Sequence, residues 1–199
     1  MSHEAPVDAP ILALLRERWS PYVYSSKPVP DADLRAIFEA ARWAPSSYNE
    51  QPWRFIVATS ADAAAHAKVL LCLVEANQAW AKHAPVLALG CHTTVHAKNG
   101  KPNKAAAHDL GQAAAQLSIE AASRGIRVHQ MIGIVPERAK ELFKVPDGVE
   151  VLTGLALGYP GEPAKAAPDL ASRDAARRPR ISIGETVFAG AWGTPAFGR

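Results

Sequence analysis

The chain has 199 residues, of which 48% are hydrophobic and 21% are charged, and its formal net charge is +3. This composition is typical of one globular domain with a sizeable core, and the small charge does not favour nucleic-acid binding. The apolar runs fall short of the ~20 residues of a transmembrane helix, and residues 1–10 lack the pattern of a signal peptide. The two isolated cysteines, Cys72 and Cys91, favour buried thiols in a reducing cytoplasm.

The first half of the chain predicts helices that alternate with short strands. A helix is expected over 11–18, and Asp31 is expected to cap a second one whose apolar residues recur at helical spacing: Leu34, Ile37, Phe38 and Ala41. This second helix must end before Pro45, because the residue before a proline avoids the helical region. Residues 53–58 and 85–91 are predicted strands, and the alanine-rich stretch 61–80 between them is a predicted helix.

The second half begins with a polar loop, 93–104, and continues with the longest predicted helix, 108–124, for which Gly125 is the expected stop. The alanines of this helix allow close helix packing, which favours a place in the core or at a subunit interface. Strands are predicted over 126–130 and 149–157, a short helix over 137–143, and an extended tail over 161–179. Since neither a repeat nor a domain boundary is visible, residues 1–199 are expected to form a single α+β domain.

The most informative segment is the connector between the predicted helix and the strand at 53. It carries two hydroxyls and two side-chain amides within seven residues, in the order Pro45, Ser46, Ser47, Asn49 and Gln51. Amides and hydroxyls can both donate and accept hydrogen bonds. This connector therefore suits a planar ligand edged with carbonyls and ring nitrogens better than it suits a metal ion or a covalent nucleophile.

Together with Arg18-Trp19-Ser20, this connector resembles the flavin-binding signature of the nitroreductase family. Further similar segments follow in the same order, near 28–42, 108–114, 125–134, 155–160 and 178–193, so that the resemblance covers about residues 11–195. It implies an α+β fold with a central, mostly antiparallel sheet flanked by helices. It also implies an intertwined homodimer with FMN at the dimer interface.

The resemblance implies hydride transfer from NADH or NADPH, through FMN, to a nitroaromatic, a quinone or a similar small electron-poor acceptor. Because the flavin carries this chemistry, no catalytic side chain is assigned. One alternative is a flavin-binding protein for FMN storage or sensing, without turnover of a pyridine nucleotide. Another is a cation-dependent hydrolase that uses His92 and His96, although this pair lacks a third ligand and no metal site is assigned.

The resemblance also assigns roles to individual residues. Arg18 and Ser20 are expected at the FMN phosphate, while Tyr22 stands where the family usually has a second basic residue, so the basic cluster Arg177, Arg178 and Arg180 must help. Asn49 is expected to face flavin heteroatoms. The main chain of 131–133 is expected near flavin N5, and Gly133 would allow a close approach. The expected cofactor contacts are Arg18, Trp19, Ser20, Tyr22, Pro45, Ser46, Ser47, Asn49, Gln51, Met131, Ile132, Gly133, Arg178 and Arg180.

Overall fold

The computed structural model describes residues 3–175 and 178–197. In that part of the chain a four-stranded sheet forms the centre, and every pair of neighbouring strands is antiparallel. The strands are β1 (Trp53–Thr59), β2 (Val86–Thr93), β3 (Arg127–Met131) and β4 (Val149–Gly158), in the spatial order β1-β2-β4-β3. The four predicted strands and the α+β class are confirmed.

Within the described residues, seven α-helices flank this sheet. They are α1 (Ala13–Glu17), α2 (Asp31–Arg42), α3 (Ala63–Leu71), α4 (Glu75–Ala81), α5 (Ala106–Ser123), α6 (Pro136–Phe143) and α7 (Pro168–Ala175). The long helix α5 ends where Gly125 adopts a φ of +71°, a conformation that glycine enters without steric cost, so the predicted stop is confirmed.

The two faces of the sheet are both buried, and successive residues of a strand point to opposite faces. Val86 and Ala88 of β2 belong to a cluster with α2 and α5, whereas Leu87 and Leu89 belong to a second cluster that includes residues of α3, α4 and α6. Because both sides of β2 are covered, its residues read as a continuous apolar run rather than an alternating one. The sheet is thus the middle layer of three.

The prediction of one helix over 61–80 is wrong, since α3 and α4 are separated at Cys72–Val74. There Leu73 forms a β-bridge with Ile134, and the Val74 N–H donates to the Gly133 carbonyl. These tertiary hydrogen bonds replace the helical ones, a preference that helix propensity does not report. The break joins this layer to the residues that follow β3.

Two further expectations are corrected. The segment 161–179 is not simply extended, because α7 forms within it and buries Leu170 and Asp174. Asp31 does not cap α2: it is the first helical residue, Pro30 holds the cap position, and no side-chain cap bond forms. Its carboxylate still lies in the first turn, where a negative charge is favourable.

Candidate functional site

A cavity of about 230 Å³ lies between the chain after α1, the strand β3 and the region of α7. We call it the arginine cavity, because four guanidinium-bearing residues line it: Arg18, Arg173, Arg178 and Arg180. The remaining lining residues are His3, Trp19, Ser20, Tyr22, His129, Gln130 and Asp174. The structure therefore brings six of the expected cofactor residues together, whereas Arg177 lies outside the described residues.

Tyr22 holds two of these arginines. The Arg173 guanidinium carbon lies 3.8 Å from the centroid of the Tyr22 ring, and Arg178 Nη2 donates to Tyr22 Oη at 3.1 Å. The ring itself is buried and meets Trp80 and His129 edge-on, with centroid distances of 5.2 and 4.8 Å. Tyr22 carries no charge, but it fixes the positions of two residues that do.

Among the described residues that line the cavity, only Asp174 carries a carboxylate, and backbone N–H groups donate hydrogen bonds to it. Its Oδ1 accepts from the N–H groups of Tyr22 at 2.6 Å and Val23 at 3.2 Å. Burial raises the pKa of Asp174 above its ordinary 3.8, although these two hydrogen bonds oppose the shift. In the described lining, four guanidinium groups outnumber this one carboxylate, which makes the cavity cationic.

His129 adds a neutral imidazole to the same wall. Its Nδ1 lies 2.8 Å from the Pro21 carbonyl, which can only accept, so Nδ1 carries the hydrogen. Burial lowers the pKa of His129, the Pro21 hydrogen bond opposes this, and the charges of Arg178 and Arg173 lower the pKa further. His129 is thus both a residue of the cavity wall and a hydrogen-bonded, partly buried side chain.

The strand β3 leads directly from the arginine cavity to the segment 131–133. His129 and Gln130 line the cavity, Met131 ends the strand in the core, and Ile132 then exposes 71% of its surface. Within the described residues, the N–H groups of Ile132 and Gly133 donate no hydrogen bond to the backbone. Two main-chain donors without a backbone acceptor therefore follow the strand that lines the cavity.

Gly133 also has a structural reason within its own chain. A Cβ at this position would lie 2.5 Å from Asn77 Nδ2 and 2.9 Å from Val74 Cγ2. Both neighbours also donate to the Gly133 carbonyl, Asn77 Nδ2 at 2.9 Å and the Val74 N–H at 3.1 Å. The close approach that requires glycine is thus an approach to α4 and the residue before it.

The connector between α2 and β1 forms a second polar region, the 45–51 loop. Its Ser47 N–H donates to Asp109 Oδ2 at 3.1 Å, and Asp109 lies buried in the first turn of α5. Inside the loop, the Gln51 N–H donates to Ser46 Oγ, and Gln51 Nε2 donates to the Asn49 carbonyl. In the described part of the chain the Asn49 side-chain amide makes no hydrogen bond, so it remains free for a ligand.

The backbone of this loop is strained. Tyr48, Asn49 and Gln51 have φ angles of 55°, 57° and 48°, a region that L-residues other than glycine seldom occupy. Each such residue costs on the order of 1–2 kcal/mol, and clusters of this kind are common at functional sites. Asp109 and the internal hydrogen bonds stabilise the loop in a backbone conformation that its sequence does not favour.

The loop and the arginine cavity do not meet within one chain. The residues that line the cavity include none from 45–51, and the loop exposes Pro45, Asn49 and Gln51 to solvent. Three residues that shape these two regions were not among the expected site residues, namely Asp109, Arg173 and Asp174. Only Asp109 carried a signal, since it lies in a segment that the family resemblance had already marked.

The arginine cavity fits the phosphate end of FMN. Guanidinium groups bind phosphate through paired, charge-assisted hydrogen bonds, and the Ser20 and Tyr22 hydroxyls add neutral donors. A volume of about 230 Å³ is below the ~300–1,000 Å³ typical of whole-ligand pockets, so the cavity suits the phosphate and adjacent ribityl atoms rather than the complete cofactor. The flavin ring needs further surface.

Comparisons with known proteins agree with this geometry. The model of the nitroreductase family matches residues 15–159. A crystal structure of an oxidoreductase containing FMN superposes with a TM-score of 0.89, at 33% identity over 96% of this chain and 96% of that one. An uncharacterised 15.4 kDa protein of Mycolicibacterium smegmatis is 38% identical over 148 residues, which are 71% of this chain and 99% of that protein. An NADH dehydrogenase of Thermus thermophilus is 28% identical over 166 residues, 70% of this chain and 81% of that enzyme.

The chain belongs to the nitroreductase family. The expected family, fold class and enzyme class, an FMN-dependent oxidoreductase, are therefore confirmed. In the residues that the structure describes, no helix is long and apolar enough to cross a membrane.

The hydrolase alternative has little geometric support. His92 Nε2 lies 3.4 Å from Glu150, and His96 Nδ1 lies 3.5 Å from Glu50, so the two rings face different carboxylates. Across residues 3–175 and 178–197, no group of three or more His, Cys, Asp or Glu side chains is arranged to hold a metal ion. Membership of a flavin-dependent family explains the chain better than metal hydrolysis does.

Proposed function

We propose that this nitroreductase-family protein transfers reducing equivalents from NADH or NADPH, through noncovalent FMN, to a nitroaromatic, a quinone or a similar electron-poor acceptor. The observation that carries the proposal is the arginine cavity, which gathers four guanidinium-bearing residues of the described chain and is lined by His129 and Gln130 of β3. The N–H groups of Ile132 and Gly133, which follow the end of this strand, make no backbone hydrogen bond in the described residues. FMN, when bound, supplies the hydride chemistry.

In this proposal the residues of the chain bind and orient the cofactor. Arg18, Ser20, Arg178 and Arg180 hold the phosphate, with Trp19 and Tyr22 closing the wall behind them. The Ile132 and Gly133 N–H groups face the edge of the ring where hydride is exchanged. The exposed side chain of Ile132 covers that place and limits access of water.

The 45–51 loop completes the site from a second protomer. Its serines, Asn49 and Gln51 supply neutral donors and acceptors for the ribityl chain and the ring edge, which suit a ring whose protonation changes on reduction. Since no residue of the loop lines the arginine cavity of its own chain, the proposed site needs a second protomer to bring its two halves together. We propose that the dimer interface is well above the ~2,000 Å² of standard complexes.

Three exposed features support this homodimer. Helix α5 presents a stripe of small exposed residues, Ala107, Gly111 and Ala115, which allows another helix to approach closely. The C-terminal arm, residues 181–197, ends in a hairpin whose Trp192 is 93% exposed. In the described part of the chain, the hydrogen bonds of residues 182–196 all join residues of that same arm. Exposed apolar surface that includes Trp192 and the small-residue stripe of α5 is typical of a protein–protein interface.

We also propose that the chain forms a single domain and is located in the cytoplasm. Both core clusters pack on the one sheet, which supports treating the chain as one folding unit. Cys72 and Cys91 are free and buried, and burial raises the pKa of both thiols, to about 11 for Cys91. Such thiols need no oxidising compartment, which is consistent with a reducing cytoplasm.

An absorption spectrum followed by anaerobic reduction tests the proposal. The purified protein is expected to be yellow, to release FMN on acid treatment, and to bleach on addition of NADH or NADPH. Addition of a nitroaromatic or a quinone should then restore the oxidised spectrum. Bound FMN that neither pyridine nucleotide reduces would favour storage or sensing, and a protein without affinity for flavin would refute the proposal.

A further inference from the structure

The arginine cavity contains a cation that neither the family signature nor the sequence analysis assigned. Arg173 lies on α7, outside the residues 15–159 that the family model matches. We propose that Arg173 is a phosphate-binding residue of the flavin site, and that Tyr22 is the platform that positions it. This inference rests on the proposed FMN function.

Two adjacent residues of α7, Arg173 and Asp174, contact Tyr22. Asp174 accepts the Tyr22 N–H at 2.6 Å, while the Arg173 guanidinium stands 3.8 Å from the centroid of the Tyr22 ring. A guanidinium over an aromatic face is attracted by the ring quadrupole, and this attraction does not occupy its N–H groups with a hydrogen-bond acceptor. The stack therefore orients Arg173 without using up its donors.

The platform itself is rigid. Tyr22 is buried, and its ring edge meets Trp80 and His129 at centroid distances of 5.2 and 4.8 Å. A planar cation that stacks on a fixed ring loses less side-chain freedom when it binds an anion, because its orientation is already set. An exposed arginine without such a platform would have to be ordered by the ligand.

The hydroxyl of Tyr22 extends the same arrangement. It accepts from Arg178 Nη2 at 3.1 Å, so its own O–H remains available to donate to a phosphate oxygen. Arg173 and Arg178 are thus brought to one neutral side chain, Arg173 on its face and Arg178 at its edge. Two like charges held this closely repel each other unless an anion lies between them.

The charge balance of the cavity also favours the binding of an anion. Four guanidinium groups face one carboxylate, Asp174, whose Oδ1 is already bonded to two backbone N–H groups, and His129 lies beside them with its pKa lowered. The chemistry that fits is a phosphate monoester dianion. Its ribityl end can follow β3 toward Ile132.

Flavin titrations of the apoprotein test the assignment, with the ratio of riboflavin to FMN dissociation constants as the readout. Arg173→Ala is expected to weaken FMN binding by roughly tenfold and to leave riboflavin binding unchanged, because charge-assisted bonds to phosphate are lost. Arg173→Lys keeps the charge but not the planar guanidinium. Its ratio of riboflavin to FMN dissociation constants should therefore fall between those of wild type and Arg173→Ala. Arg35→Ala is the matched control, since Arg35 is exposed on α2, outside the cavity, and its removal changes the net charge equally.

Tyr22 variants separate the platform from the charge. Tyr22→Phe keeps the ring under Arg173 and removes the hydroxyl, so a few-fold loss of FMN preference is expected. In a Tyr22→Leu background, Arg173→Ala should cost less than it does alone, which a double-mutant cycle measures. Folding of each variant is checked by the unchanged affinity for riboflavin.

The outcomes distinguish this inference from the proposed function. A wild-type protein that binds neither flavin refutes both. A wild-type protein that prefers FMN over riboflavin, together with an Arg173→Ala variant of identical preference, refutes only the role of Arg173. Equal losses for FMN and riboflavin in Arg173→Ala would show a structural role rather than phosphate binding, and would also overturn it.

Discussion

The arginine cavity and the 45–51 loop reach their shapes by opposite means. The cavity is cationic and assembled from distant parts of one chain, and side chains such as Tyr22 and Asp174 fix it internally. The loop is neutral, local in sequence and exposed, and it keeps three left-handed residues in place through Asp109 and its own hydrogen bonds. One chain therefore supplies the cationic residues of the proposed phosphate site, but only one of the surfaces that a flavin ring needs.

This difference is the reason that the proposed flavin site includes a second protomer. In the proposed site, the charged groups that hold the phosphate line one cavity of a single chain, so folding alone completes this part. A flavin ring requires surfaces on more than one side, and the loop offers a single side. The strain in the loop has no counterpart in the cavity, which is consistent with a surface that is held ready for contact with another chain.

The largest expected effect comes from separating the two protomers of the proposed homodimer. Gly111 lies on the exposed face of α5, and a side chain there would meet no atom of its own chain within 4 Å. Gly111→Arg should therefore leave the protomer folded but prevent close packing of α5 against its partner. We expect monomers by light scattering, and FMN affinity lower by roughly a hundredfold or more, because the loop's contacts are lost.

Gly111→Ala is the control for that variant. It keeps the small-residue stripe and should stabilise the helix by about 1 kcal/mol, since glycine is a poor helix former. The dimer and the flavin should both be retained. If Gly111→Arg remains a dimer with bound FMN, the exposed face of α5 is not the interface, and the loop must meet the cavity in another way.

The next effect in size tests the cavity alone. Arg18 lines it with Nη1 3.5 Å from Ser20 Oγ, and its removal takes away a charge-assisted partner worth ~1.5–3 kcal/mol. Arg18→Ala should weaken FMN binding by roughly tenfold to a hundredfold, with turnover largely recovered at saturating FMN. Isothermal titration with FMN and riboflavin checks this, because the fold should survive and riboflavin should bind both proteins equally. A parallel loss of riboflavin affinity would mean that Arg18 does not bind the phosphate.

The same contrast explains how much the sequence could predict. The loop is contiguous, so its polar residues and the neighbouring strand at Trp53 were visible in the pattern. Arg173 and Asp174 lie about 150 residues from Tyr22, and only the formation of α7 brings them to it. A run rich in proline, alanine and arginine predicts an extended tail locally, and the burial of Leu170 that favours the helix is a tertiary effect.

The strain of the loop and the break between α3 and α4 were invisible for a similar reason. Positive φ at Tyr48 and Gln51 contradicts local preference, so no propensity scale could have indicated it. Likewise the bridge from Leu73 to Ile134 overrides a helical sequence through a partner 61 positions away. The fold class and the family signature survive in a single sequence because both are repeated over several segments.

A smaller effect separates strain that serves the site from strain that does not. Tyr48 and Lys144 both have a left-handed backbone, with φ of 55° and 53°, but Lys144 only ends α6. Tyr48→Gly and Lys144→Gly should each raise the free energy of unfolding of the apoprotein by up to ~1 kcal/mol, because glycine removes the steric cost. Urea denaturation measures this. Only Tyr48→Gly should also weaken FMN binding, since it loosens the loop; equal flavin affinity in both variants would contradict a role for the strain.

The smallest expected effect tunes the cavity through its one carboxylate. Burial raises the pKa of Asp174 in the fold above 3.8, so the folded state gains stability below that value and loses it as the pH rises through the raised pKa. Asp174→Asn keeps an Oδ1 that can accept from the Tyr22 and Val23 N–H groups and removes this dependence. The variant should therefore be more stable than wild type at pH 7 and lose this advantage toward pH 4, as thermal unfolding of the apoprotein can show.

Asp174→Asn should also bind FMN a few-fold more tightly, with its affinity for riboflavin unchanged, because one negative charge leaves the phosphate's surroundings. A variant that is less stable at pH 7 and unaltered in its preference for FMN would show that Asp174 acts through hydrogen-bond geometry, and that its charge does not reach the phosphate.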